Sequence, residues 1–196
     1  MARTVAIIGG IGSGKSMVCK ALIAMGYEVY DCDSWAKRLM DTSEHIKRDL
    51  CRDIDPLVVV DGEIDRPHLA SLVFSDDEKL RKMNSIVHYH VREHIKEWIR
   101  TRADQKLVFI ETAILQESHL DELVDEAWWV DAPRELRIER VGKRNSLSVE
   151  EITRRMDAQR TDARTLKIPV RMIDNDGFTP ILPQIERLIN ESINEN

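Results

Sequence analysis

The stretch Gly9-Gly-Ile-Gly-Ser-Gly-Lys-Ser16 most constrains how this chain can fold. It satisfies GxxxxGK[ST] at every fixed position, between the apolar run Val5-Ala6-Ile7-Ile8 and a helical segment from Lys15 to Met25 closed by Gly26. Such a loop works only with a strand before it and a helix behind it. Successive backbone N–H groups then converge on phosphate oxygens, and the helix N-terminus adds a favourable dipole. The glycines let the main chain wrap closely around the anion. Gly10, Ile11, Gly12, Ser13, Gly14, Lys15, Ser16 and Met17 form the expected ATP-binding segment. Lys15 would reach the β- and γ-phosphates, and the Ser16 hydroxyl would ligate Mg²⁺. A dinucleotide fingerprint fails on spacing: Gly10 and Gly12 begin GxGxxG, but its third glycine would fall at Lys15.

The remaining pattern repeats the strand-then-helix theme. Arg3–Ile8 reads as a buried strand, Glu28–Tyr30 as a second, Leu107–Ile110 as a third, Ala127–Val130 as a fourth and Met172-Ile173 as a fifth. Strands apolar on both faces suit a parallel sheet covered by helices. Ser34 to about Arg102 reads as mainly helical, with Ser75-Asp-Asp-Glu78 as a capping-box start and turn signals from Pro56 to Pro67. Arg134–Arg144 reads as a helix, Ser148-Val-Glu-Glu151 opens another through a capping box, and Thr179-Pro180 starts a last one. The expected fold is α/β: a three-layer P-loop kinase fold on a parallel sheet of about five strands. One domain spans 1–196, with a helical acceptor-binding insertion at about 34–102 and an arginine-bearing lid at about 134–165.

Two groups of charged residues suggest group transfer rather than simple binding. Asp31 and Asp33 follow the second strand at the carboxyl edge of the sheet, where open α/β folds bind ligands. A carboxylate there can orient an attacking hydroxyl or accept its proton, the role expected of Asp33. The competing reading is that Asp33 or Ser34 caps the next helix. Arg137, Arg140 and Arg144 share one helix face, with Arg154 and Arg155 on the next helix. Either they form a solvated basic face paired with Glu135, Glu139 and Glu151, or they meet a transferring phosphoryl group, with Arg140 foremost. A GTPase is disfavoured: no asparagine is followed by lysine, and the DxxG match at Asp174–Gly177 lies too late in the chain. The layout is that of a small-molecule kinase.

Composition sets the outer limits. With 35 acidic against 29 basic residues and a net charge of −6, a general nucleic-acid or anionic-membrane binder is not expected. No apolar run exceeds five residues, the N-terminus lacks a signal-peptide core, and three cysteines fit neither a disulfide framework nor a CxxC zinc pattern. The expectation is a cytoplasmic protein, monomeric or a small homo-oligomer.

Several segments carry a more specific resemblance over nearly the whole chain. The glycine-rich loop with Val29-Tyr-Asp-Cys-Asp33, Asp61-Gly-Glu-Ile-Asp-Arg66, Leu69-Ala-Ser-Leu-Val-Phe74, Ile86-Val-His88, Arg140-Val-Gly-Lys-Arg144, Arg155-Met-Asp-Ala-Gln159 and Ile173-Asp-Asn-Asp-Gly177 together resemble the dephospho-coenzyme A kinase family. Departures from that family's pattern are Met17 for threonine, Tyr89 for proline, Glu111-Thr-Ala-Ile-Leu115 for Asp-x-Pro-Leu-Leu, and Pro169-Val170 for alanine-aspartate. The resemblance implies ATP-dependent phosphorylation of the ribose 3′-hydroxyl of dephospho-coenzyme A, with Mg²⁺. The implied catalytic residues are Asp33, Lys15 and Arg140. Arg144 and Asn175 would join the ATP site; His88 and Arg92, one helical turn apart, would join Asp33 on the acceptor. The alternatives are another nucleoside or nucleotide kinase, and a regulatory P-loop protein that binds ATP without transferring phosphate.

Overall fold

All five apolar stretches become strands of one sheet in a computed structural model that describes residues 2–145, 147–159 and 163–194. The strands are β1 (Arg3–Ile8), β2 (Val29–Asp31), β5 (Leu107–Glu111), β6 (Glu126–Asp131) and β7 (Val170–Asp174). Their spatial order is β2-β5-β1-β6-β7. β1 pairs in parallel with β5 and β6, and β6 with β7. Continuous Val, Ile and Phe runs suit this arrangement, because the residues of both faces are buried, Val5, Ala6, Ile7 and Ile8 alike. Val5, Ile7, Phe109, Trp128, Val130 and Ile173 pack with Val18 and Leu22 of α1 (Lys15–Ala24) and with Ile185, Leu188 and Ile189 of α8 (Ile181–Asn194). β1 lies in the middle of the sheet, so the loop that leaves it emerges at the centre of the carboxyl edge.

The chain divides into two compact units. The first is Met1–Tyr30 with Ile99–Asn196, and the second is Asp31–Trp98. The first holds the five-stranded sheet together with α6 (Arg134–Asn145), α7 (Val149–Ala158) and α8. A small core of Val141, Ile152 and Met156 joins α6 to α7. The capping box at Ser148 and Glu151 is present in full.

The second unit contains α2 (Cys32–Thr42), α3 (Glu44–Asp53), α4 (Arg66–Ser75) and most of α5 (Asp77–Arg100). Its core is Ile46, Leu50, Ile54, Val58, Leu69 and Val73. The interruption between α3 and α4 is a hairpin of β3 (Val59–Val60) and β4 (Glu63–Ile64). Asp61 and Gly62 both take positive φ, 52° and 81°, as the turn of a two-residue hairpin requires. The expected capping box at Ser75 is corrected by one residue. α4 runs through Ser75, whose hydroxyl donates back to the Ser71 carbonyl at 2.8 Å. Asp76 caps α5 instead, accepting from Glu78 N at 2.8 Å and Lys79 N at 3.2 Å. Among the described residues, no helix is long and apolar enough to cross a membrane.

Candidate functional site: a phosphate loop and the groove beside it

The glycine-rich loop joins β1 to α1, and its shape is one that side chains would obstruct. Gly14 holds φ 100° at the N-cap of α1, and a Cβ there would lie 2.0 Å from Asn175 Nδ2. At Gly10 a Cβ would lie 2.1 Å from the Arg137 guanidinium. Lys15 arches back so that Nζ donates to the Gly9 carbonyl at 2.9 Å. Ser16 is exposed in the first turn of α1, where backbone N–H groups lack partners within the helix. The local sequence therefore builds an anion cradle with a cation drawn along its rim.

Side chains from α6, the end of α7 and the turn after β7 hold the outer wall of the cradle. Arg137 Nε donates to Ile11 O at 2.9 Å, and Ile11 N donates to Gln159 Oε1 at 2.8 Å. The Ile11 side chain also packs against the α6–α7 core. Arg140 donates to Ser13 O at 3.3 Å and to Asn175 O at 3.1 Å. Asn175 Nδ2 donates to the same Ser13 carbonyl at 2.7 Å, while Asn175 N donates to Asp131 O at 2.8 Å. Burial, partly offset by Asp131, holds the Arg137 guanidinium below its ordinary pKa.

Two of the carboxylates expected to pair with the basic face have other partners. Lys143 takes Glu139, Arg134 takes Asp157 at 2.8 Å, and Glu151 closes its capping box. Arg137 and Arg140 turn to carbonyls of the phosphate loop. Arg144 lies one turn beyond Arg140 and is exposed. Arg137, read from the sequence only as one of several arginines on a basic face, and Gln159, read only within a family-like segment, make loop contacts that the expected site did not include. Arg137 sits on the same helical face as Arg140, which was the available signal; a glutamine closing a helix offered none.

A groove of about 800 Å³ begins where the loop ends. Met17, Lys20 and Ala21 of α1 form one side, and residues 177–183 with Asn175 form much of the other. Its lining is mostly apolar, with Met17 58% and Phe178 93% exposed. Asp176 shapes the facing turn, accepting from Phe178 N at 2.9 Å and Thr179 N at 2.7 Å. These bonds, that from Thr179 first, hold its carboxyl below the usual carboxylate range.

The other expected residues belong to the second unit. Asp31, rather than Asp33 or Ser34, caps α2: its carboxylate accepts from Ser34 N at 3.0 Å and Ser34 Oγ at 2.6 Å. The reason is register, since α2 starts at Cys32 and places Asp33 inside its first turn. Asp33 is exposed there. His88 and Arg92 lie one turn apart on α5, both half-buried. A different side of α5 carries His90, 2.8 Å from Asp49, and His94, whose ring lies tilted by 37° against Trp35 with centroids 4.4 Å apart. Burial, reinforced by Arg38, lowers the pKa of His94.

Comparison with known proteins bears on the fold and the family. The profile of the Dephospho-CoA kinase family matches residues 3–180. A dephospho-CoA kinase of Bacteroides fragilis is 36% identical over 189 residues, covering 96% of this chain and 92% of that protein. A crystal structure from Thermus thermophilus superposes with a TM-score of 0.76 at 35% identity, over 99% of this chain and 97% of the other. A dephospho-CoA kinase from Campylobacter jejuni shares the fold at 21% identity, with a TM-score of 0.71 and full coverage of both chains. With the family profile spanning residues 3–180 and a relative 36% identical over nearly the whole of both chains, this chain belongs to the dephospho-CoA kinase family.

Proposed function

We propose that this chain transfers the γ-phosphoryl group of ATP to the ribose 3′-hydroxyl of dephospho-coenzyme A, giving coenzyme A and ADP. The observation that carries this reading is the phosphate loop of a family member with Arg140 and Asn175 both seated on its Ser13 carbonyl. Phosphoryl transfer depends mainly on positioning and on stabilising charge that moves among oxygens, and it needs no covalent nucleophile. On ATP binding, Lys15 would exchange the Gly9 carbonyl for phosphate oxygens. The loop amides and the first turn of α1 would hold the β-phosphate. Arg140, with Arg144 further along the same helix, would face charge on the transferring group.

Mg²⁺ fits the residues present. The exposed Ser16 hydroxyl stands at the mouth of the cradle, and Mg²⁺ typically takes one or two protein oxygens with substrate phosphates and water. Ser16 would hold it, and when bound it would supply positive charge against the triphosphate. In the second unit, Asp33 would orient the 3′-hydroxyl and take its proton, with His88 and Arg92 on the acceptor. That unit, in this reading, is the acceptor-binding part, and α6–α7 forms the lid. The test is transfer of labelled γ-phosphate from ATP to dephospho-coenzyme A by the purified protein. Label appearing instead on free nucleosides or nucleotides, or nowhere, would refute the assignment.

A further inference from the structure

We propose that the donor base is held by its faces, between Met17 and Phe178, and not read along its edges, so that ATP and GTP serve as donors with similar efficiency. The inference rests on the loop being a donor site, as the proposed function takes it to be. A triphosphate seated on Gly14, Lys15 and Ser16 sends its nucleoside out past Met17. The groove of about 800 Å³ starts at that residue, so the base arrives there.

The groove offers flat apolar contact. Met17 and Phe178 stand 58% and 93% exposed, and a large apolar side chain left in water gains by covering a planar ring. Stacking of a base on an aromatic side chain tolerates any base, because every base has a π-face.

The side chains of Asn175, Asp176 and Thr179 in the facing turn already have partners. Asn175 Nδ2 donates to Ser13 O at 2.7 Å, and Arg140 donates to Asn175 Oδ1 at 3.3 Å and to its main-chain O at 3.1 Å. Phe178 N and Thr179 N both donate to Asp176 Oδ1, at 2.9 and 2.7 Å. Thr179 Oγ1 donates to Asp176 Oδ2 at 3.0 Å. Reading the 6-position of a purine with these groups would break bonds that shape the turn. A site built to hydrogen-bond one substrate rejects its analogue by roughly 10⁴-fold, whereas a merely apolar pocket discriminates weakly.

The experiment compares ATP and GTP on the same protein by calorimetric binding and by phosphoryl transfer, for the wild type and for Phe178→Ala and Phe178→Tyr. We expect Kd and kcat/KM for the two donors to agree within about tenfold. Phe178→Ala should weaken both donors alike, by on the order of tenfold in Kd and donor KM, with kcat and acceptor KM little changed. Phe178→Tyr should restore both. Because Phe178 is almost fully exposed, its replacement leaves the melting temperature in place. A preference for ATP beyond tenfold, or an unchanged donor Kd in Phe178→Ala, overturns the inference. If ATP and GTP bind alike and Phe178→Ala weakens both while no phosphate reaches dephospho-coenzyme A, the base site stands and the proposed acceptor falls.

Discussion

Lys15 lies against the Gly9 carbonyl at 2.9 Å, so its charge is directed along the loop before any phosphate arrives. Replacing it with alanine removes that charge without opening the core, since its side chain is only half-buried. Lys15→Ala should therefore melt near wild type while kcat falls on the order of 10²-fold or more, as steady-state kinetics beside a melting curve will show. The neighbouring carboxylates Asp31 and Asp33 make opposite demands. Asp31 accepts two bonds from Ser34, and Asp31→Ala should cost about 0.5–2 kcal/mol of stability, read by denaturant titration. Asp33 is exposed in the first turn of α2 and is not its cap, so Asp33→Asn leaves those bonds intact. It should melt and bind ATP like the wild type yet lose on the order of 10²-fold in kcat. If kcat stays within a fewfold, the proton acceptor is another carboxylate, such as Glu111 at the end of β5.

At the scale of elements, α6 and α7 have a small core of their own, built on Val141, Ile152 and Met156. Ile152 is 1% exposed, and truncating such a residue typically costs about 2–5 kcal/mol. Ile152→Ala should therefore speed amide exchange across Val149–Ala158 by at least about tenfold while leaving the central strands protected. Equal acceleration in β1 and β5, seen by hydrogen-exchange mass spectrometry, would show that the pair has no separate stability. The elements legible beforehand were those whose stability is local or continuous: apolar strand runs, the glycine loop, and the box at Ser148 and Glu151. The Ser75 box misled because Ser75 and Asp76 are both good caps, and only the end of α4 decides between them. The β3–β4 hairpin carried its own sign in Asp61-Gly62, hidden by strands of two residues each. The Gln159–Ile11 bond spans 148 positions, and no local pattern encodes such a pairing.

At the scale of the whole molecule, a buried electrostatic cluster lies at the amino-terminal ends of the strands, where β6 starts at Glu126. This carboxylate is fully buried, 2.8 Å from Arg171 Nε and 3.3 Å from Arg3 Nη2, and it accepts from Ser192 Oγ and from Trp128 Nε1. Burial alone would raise its pKa; the Ser192 hydroxyl, then Arg171 and Arg3, outweigh that and hold it below the ordinary value. A carboxyl lowered in the folded state stabilises the fold above the unfolded-state value of about 4.3, and that contribution fades as pH falls through the folded value. Melting temperature should thus drop more steeply below about pH 5 in the wild type than in Glu126→Gln, by thermal melts across pH. At neutral pH, Glu126→Ala should cost about 3–5 kcal/mol, because two arginines lose their buried partner. A parallel slope in both proteins would mean that other carboxylates govern acid unfolding. The same carboxylate gathers Arg3 from the first strand and Ser192 from the last helix. A nascent chain therefore cannot complete this cluster until α8 has left the ribosome, and β1 waits more than a hundred residues for both its neighbours. Closure of the sheet is thus a late event in synthesis, dominated by contacts distant along the chain and correspondingly slow.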